Sequence, residues 1–143
     1  MKTNIIIATS LLDKGDYTCV LCKDEIVYTS TERGVKPLLD MYDSKTDLKG
    51  FTAADKVVGK AAAFLYVLLG VEKVYAPVMS KPAMQILISF GVKIQSKLLV
   101  PEIINRQGTG RCPMEEAVDG ITDAKEALAA IRSKLEKLKA SHS

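Results

Sequence analysis

The chain has 143 residues, with 20 basic against 17 acidic side chains, a formal net charge of +3, 48% apolar residues and 26% charged. That length fits one domain, residues 1–143, with a core of its own, and the composition excludes disorder, collagen and coiled-coil arrays. The longest apolar run, Ala61 to Leu69, falls far short of the ~20 residues a membrane span needs. Residues Met1 to Ala8 lack the apolar stretch of a signal peptide, so a cytoplasmic protein is expected. Scattered basic residues and a small net charge argue against a nucleic-acid polymer as partner. Cys19, Cys22 and Cys112 read as reduced thiols rather than a disulfide framework. The single histidine, His142, stands in the terminal tail, where 139–143 is expected to be flexible. A Ser-His-Asp or Cys-His mechanism therefore has no histidine in the body of the fold.

In chain order, Thr3 to Leu12 has the apolar spacing of an amphipathic helix, stopped by Gly15. Tyr17 to Leu21 and Glu25 to Thr29 read as a hairpin turning at Cys22-Lys23-Asp24. Gly34 to Tyr42 is a short helix with Pro37 in its first turn, and Lys45 to Gly50 a polar loop. Thr52 to Leu69 is predicted as one central helix, with Thr52 as N-cap, Asp55 three residues on, and Gly70 as its stop. From Ala61 it is apolar on every side, which places it inside a core. Lys73 to Val78 is a buried strand, Lys81 to Phe90 a helix stopped by Gly91, and Val92 to Val100 extended. The turn Gln107-Gly108-Thr109-Gly110 leads to a helix opened by Pro113. Asp123 to Leu138 is a last helix with an apolar stripe, read as internal packing or as the seam of a homodimer.

This order predicts a three-layer α/β/α sandwich around a mixed sheet, the hairpin supplying its antiparallel part. Loops at the carboxyl ends of the parallel strands then feed helix N-termini, near Thr52, Ser80 and Cys112, into one crevice. Such a crevice concentrates free amide donors and partial positive charge.

The order resembles the cytidine-deaminase-like fold. Zinc deaminases carry His-Ala-Glu or Cys-Ala-Glu at the start of the central helix and, after a further strand, Pro-Cys-x-x-Cys at the start of the next. Within Val74 to Leu87, Pro82 falls on the motif proline, and Ala83 and Ile86 on its two cysteines. Ala53-Ala54-Asp55 falls on His-Ala-Glu. The resemblance thus implies a deaminase fold without zinc and without any cofactor, since none of these side chains except Asp55 is a ligand. Cys19-x-x-Cys22 is no substitute, because positions three apart on a strand face opposite ways. The whole chain resembles a small bacterial family, a domain of unknown function with a deaminase-like fold. The segments that carry this are 32–39 (Glu-Arg-Gly-Val-Lys-Pro-Leu-Leu), 54–63 (Ala-Asp-Lys-Val-Val-Gly-Lys-Ala-Ala-Ala) and 105–115 (Asn-Arg-Gln-Gly-Thr-Gly-Arg-Cys-Pro-Met-Glu). That resemblance implies a fold and no activity.

Candidate site residues cluster at the expected crevice. Gly108, Thr109 and Gly110 let backbone amides approach an anion, with Arg106 and Arg111 as counter-charges. Cys112 is placed at the N-cap, where a thiol is activated, or is a small buried residue, with Glu115 capping. Asp55 is read as facing a base or ribose hydroxyl, Gly59 as leaving room for a ligand, and Lys56 and Lys60 as meeting phosphate; alternatively they form an ordinary helix start. Ser80 and Lys81 open the following helix as caps or ligand contacts. Thr31, Glu32, Arg33 and Gly34 form a rim or a plain surface loop. The reading is a zinc-free domain that binds a small phosphorylated ligand, a nucleotide or ribose-phosphate compound. The alternatives are an enzyme on such a ligand, with Asp55 as general base or Cys112 as nucleophile, and a non-catalytic interaction protein.

Overall fold

The computed structural model describes residues 4–32, 34–104, 108 and 110–141. Helix α1 (Asn4–Lys14) is followed by the hairpin β1 (Cys19–Lys23) and β2 (Ile26–Ser30), which turns at Asp24, a residue with φ of 54°. Helix α2 (Lys36–Asp43) has its proline in the first turn, as expected. Then come β3 (Thr52–Asp55), β4 (Val57–Val58), α3 (Lys60–Leu69), β5 (Lys73–Ser80), α4 (Lys81–Ser89) and β6 (Lys93–Val100). The last elements are α5 (Pro113–Ala117) and α6 (Ala124–Ser141).

The central helix starts eight residues later than its sequence suggests. Thr52 is no N-cap: it is a buried strand residue, and Ala53, Ala54 and Asp55 continue the strand. Nothing in Thr-Ala-Ala-Asp forbids a helix, so tertiary contact overrides propensity here. Ala53 packs into the core on one face of the sheet and Ala54 into the core on the other; two small side chains let helices approach from both sides. Gly59 then breaks the extended run and becomes the N-cap of α3. Ala53-Ala54-Asp55 consequently does not stand at a helix start, where the deaminase motif would need it.

The sheet is mixed. β2 pairs with β1 and β1 with β3, both antiparallel, while β3, β4 and β6 pair with β5 in parallel. The pairings Thr52↔Lys73 and Val57↔Val78 share one register, so β3 and β4 are two pieces of one strand line. The line breaks at Lys56, opposite Pro77, which has no N–H to give.

Helices lie on both faces. The main core joins the inner sides of β1 and β3 through β5 to α2, α3, α4, α5 and α6, with Phe64, Leu65 and Tyr66 fully buried. That accounts for the absence of a polar face on the second half of α3. On the other face α1 packs Ala8 and Leu12 against Val20, Cys22, Ala54 and Tyr75. Cys19 and Cys22 belong to opposite cores, as strand alternation requires. The stripe on α6 packs inward, with Ala127 and Ile131 fully buried, which supports the internal-packing reading of that helix. No helix among the described residues is long and apolar enough to cross a membrane.

Candidate functional site

β4 and β5 are neighbours in parallel, so α3 and α4 begin side by side at the carboxyl edge of the sheet. Two sets of polar groups gather near this edge.

The first is a carboxylate on a helix N-terminus. α3 has glycine as N-cap and no side-chain cap of its own, which leaves its first amides without a local acceptor. Glu115, in α5, supplies one. Its Oε1 accepts the Lys60 N–H at 2.7 Å and its Oε2 the Ala61 N–H at 3.0 Å. Glu115 is 6% exposed. Gly59 is what lets it in, because a Cβ at position 59 would stand 2.6 Å from the Glu115 carboxyl carbon. Charge-assisted bonds at the positive end of a helix are the strong kind.

The second set is a buried polar chain. Asp55 faces Cys19 directly across the β1–β3 ladder, and both point toward α3. The Tyr66 hydroxyl donates to Asp55 Oδ2 at 2.7 Å, and the Cys19 thiol lies 3.3 Å from the same hydroxyl. With the Tyr66 proton given to Asp55, the Cys19 S–H is the donor to Tyr66. Burial pushes the Asp55 carboxyl up to about 7, against the Tyr66 hydroxyl and the Val57 and Lys56 amides, which hold it down. Burial, with the Asp55 charge next, pushes the Cys19 thiol well up. Tyr66 is likewise raised by burial and by Asp55. Cys19 and Tyr66 therefore keep their protons at neutral pH, and Asp55 is the group that exchanges one.

The remaining sequence candidates divide. Ser80 is fully buried and caps α4, accepting from the Ala83 N–H at 3.1 Å. Lys81 and Lys56 are exposed. The Lys60 ammonium sits 5.9 Å from the Phe64 ring centroid. Arg111 forms ion pairs with Glu102 at 3.3 Å and Asp119 at 3.3 Å, while its buried Nε makes no hydrogen bond. Cys112 is the N-cap of α5, as expected, yet makes no side-chain cap bond and is half-buried against the main core. Gly108 and Gly110 are exposed, and Gly108 has a φ of +70°. Arg106 and Thr109 lie outside the described residues, as does Arg33. Of the former rim, Glu32 pairs with Lys36 at 3.7 Å on the surface.

Sequence reasoning gave Glu115 to its own helix, took Cys19 only as a reduced thiol that binds no metal, and counted Tyr66 only in the apolar run of the central helix. A signal for Glu115 existed: a helix opened by Val-Val-Gly-Lys, with no Ser, Thr, Asp or Asn to cap it, calls for a distant acceptor. Among the described residues no three His, Cys, Asp or Glu side chains gather as metal ligands. Two open clefts, of about 470 and 390 Å3, lie elsewhere. One sits beside the hairpin turn and the other between Tyr42–Thr46 and the end of α3.

Comparison with known proteins adds the family. A crystal structure of a DUF1893 family protein from Thermotoga maritima (TM1506) is similar at 27% identity, with a TM-score of 0.84 over 96% of this chain and 91% of that one. No curated protein matches the chain. The family model for TM1506, domain of unknown function (DUF1893), matches residues 7–135. The chain therefore belongs to the DUF1893 family.

Proposed function

We propose that this chain is a zinc-free domain of cytidine-deaminase-like type that binds a small phosphorylated ligand, a nucleotide or ribose-phosphate compound. The site would be the carboxyl edge of β4 and β5, where α3 begins. The strand order supports the fold reading: an antiparallel hairpin followed by parallel strands, each leading into a helix. The function reading rests on one observation, the carboxylate of Glu115 on the Lys60 and Ala61 amides above Gly59. Two amide donors, a positive helix end and a side-chain-free glycine suit a phosphate as well as they suit a carboxylate. Glu115 then holds the position a ligand anion would take. Lys56 and Lys60 supply positive charge nearby, and Asp55, able to donate or accept near neutral pH, orients a polar ligand group. Arg111, paired with two carboxylates, would have to exchange them for a ligand anion.

The test is thermal unfolding with inorganic phosphate, ribose 5-phosphate and nucleoside monophosphates, for the wild-type chain and for Glu115→Ala. The variant loses about 1–3 kcal/mol from its orphaned amides. Phosphate compounds should restore part of that loss by mass action and raise its Tm more than that of the wild type. Equal shifts in both proteins, or none, reject the reading.

A second reading, an enzyme acting on such a ligand, is favoured by the Asp55 carboxyl titrating near 7, where a general base works best. Cys112 as nucleophile has less support, being half-buried against the core.

A further inference from the structure

β2 stands at one edge of the sheet, paired with β1 and, among the described residues, with no other strand. Its two-residue turn closes on the Lys23–Ile26 pair, and hydrogen-bonded pairs alternate along an antiparallel ladder. Val27 and Thr29 are therefore the residues that turn their N–H and C=O groups away from β1. Their side chains lie on the α1 face, since they oppose Cys22 and Val20. Ile26 and Tyr28 lie on the other face, where Tyr28 stacks on Phe51 at 5.7 Å between ring centroids. Ile26 is 50% exposed, Val27 39% and Tyr28 40%, so apolar surface is open on both faces of this edge.

Natural sheets guard such an edge with inserted charge, proline or a bulge. The opposite edge, β6, carries Lys93 and Lys97. β2 reads Ile-Val-Tyr-Thr-Ser over an unbroken register and has none of the three.

We infer that β2 pairs antiparallel with β2 of a second copy of this chain, about a two-fold axis through Val27, joining the two sheets into one. Any strand would satisfy the outward amides; the side chains select this one. With Val27 opposite the partner's Val27, Ile26 meets the partner's Tyr28 and Tyr28 the partner's Ile26. These are two pairs of a β-branched and an aromatic side chain on one face. Glu25 then stands opposite the partner's Thr29 and Asp24 opposite the partner's Ser30, so no charge faces a like charge. An axis at Tyr28 would set Asp24 against the partner's Glu32 and Val27 against the partner's Thr29. An axis at Thr29 would set Ile26 against the partner's Glu32 and Tyr28 against the partner's Ser30. Only the Val27 axis matches all three apolar residues with apolar ones. Two short strands bury little surface, so the dimer is weak and depends on concentration.

The test is sedimentation velocity of the full chain over a range of concentrations, for the wild type and for Val27→Lys, which sets like charges opposite each other. The wild type should form a reversible dimer, and the substitution should raise its dissociation constant about tenfold. Position 27 is exposed, and circular dichroism confirms that the variant folds. Val27→Cys and Thr29→Cys then test the axis under mild oxidation. Residue 27 lies against its own copy at ~5.5 Å between Cα atoms, within disulfide range, whereas residue 29 lies opposite the partner's Glu25. Val27→Cys should give a covalent dimer that neither Thr29→Cys nor the wild type gives. The inference is overturned if the chain is monomeric at every concentration, even where it binds a free Ile-Val-Tyr strand peptide. It is also overturned if Val27→Lys leaves the dimer intact, or if Thr29→Cys or the wild type cross-links as readily as Val27→Cys.

Discussion

Tyr66 donates its hydroxyl to the Asp55 carboxyl at 2.7 Å, joining the middle of α3 to the end of β3 inside the core. The bond is made by a residue of the apolar helix run and one the sequence places on that same helix. It exists because the chain becomes a strand at Thr52–Asp55 and returns as a helix laid over that strand.

The pH dependence of stability follows from this pair. The folded chain holds the Asp55 proton more tightly than the unfolded chain, since the carboxyl is raised from 3.8 to about 7. Stability from this group is therefore fully present below pH ~4, falls as pH rises toward 7, and is level above that. A shift of this size corresponds to about 2–4 kcal/mol across the window, allowing for the partial exposure of Asp55. Urea unfolding between pH 4 and 8 should show the slope in the wild-type chain and its loss in Asp55→Asn. A slope that survives the substitution would place the titrating group elsewhere.

Gly59 and Glu115 should be coupled. The N-cap φ of Gly59 is −99°, which any residue adopts, so Gly59→Ala meets no backbone strain and its cost is the collision with Glu115. We expect a loss of about 2–3 kcal/mol for Gly59→Ala, from forcing the carboxylate off two amides. In a Glu115→Ala background the same change should cost less than 1 kcal/mol, roughly what an unstrained surface change costs. Chemical denaturation of the double-mutant cycle measures the difference; additive effects would mean that the two positions do not meet.

Thiol reactivity should sort the three cysteines. Cys19 and Cys22 are buried, and burial raises both thiols. Cys112 is half-buried. A thiol-reactive dye in the native state should label Cys112 first, with Cys19 and Cys22 reacting only on unfolding, as read by peptide mass. Native labelling of Cys19 would contradict its place beneath α3.

Most element boundaries were legible before any coordinates. Gly15, Pro37, Gly70, Gly91 and Pro113 punctuate the chain, and glycine and proline act through the local backbone, which does not depend on what lies across the fold. The hairpin was also legible, shifted by two residues at its turn. Thr52 to Asp55 was not, because two alanines suit a helix locally and a tightly packed central strand globally. The candidate site suffered for the same reason. Asp55 was singled out as a candidate but placed on a helix where the chain forms a strand, and nothing in the sequence signalled that Arg111 stands beside Glu102 and Asp119.

Alone, the sequence determined an alternating α/β chain with an all-apolar central helix and no histidine in its body, since periodicity, punctuation and composition are local properties. Only the tertiary structure decided that Glu115 caps a helix 54 residues upstream of it, that Asp55, Tyr66 and Cys19 share one buried proton chain, and that Ile26, Val27 and Tyr28 stand at an open sheet edge. Each of these depends on strand register and helix placement, which come from burying both sheet faces at once. No window of neighbouring residues records that.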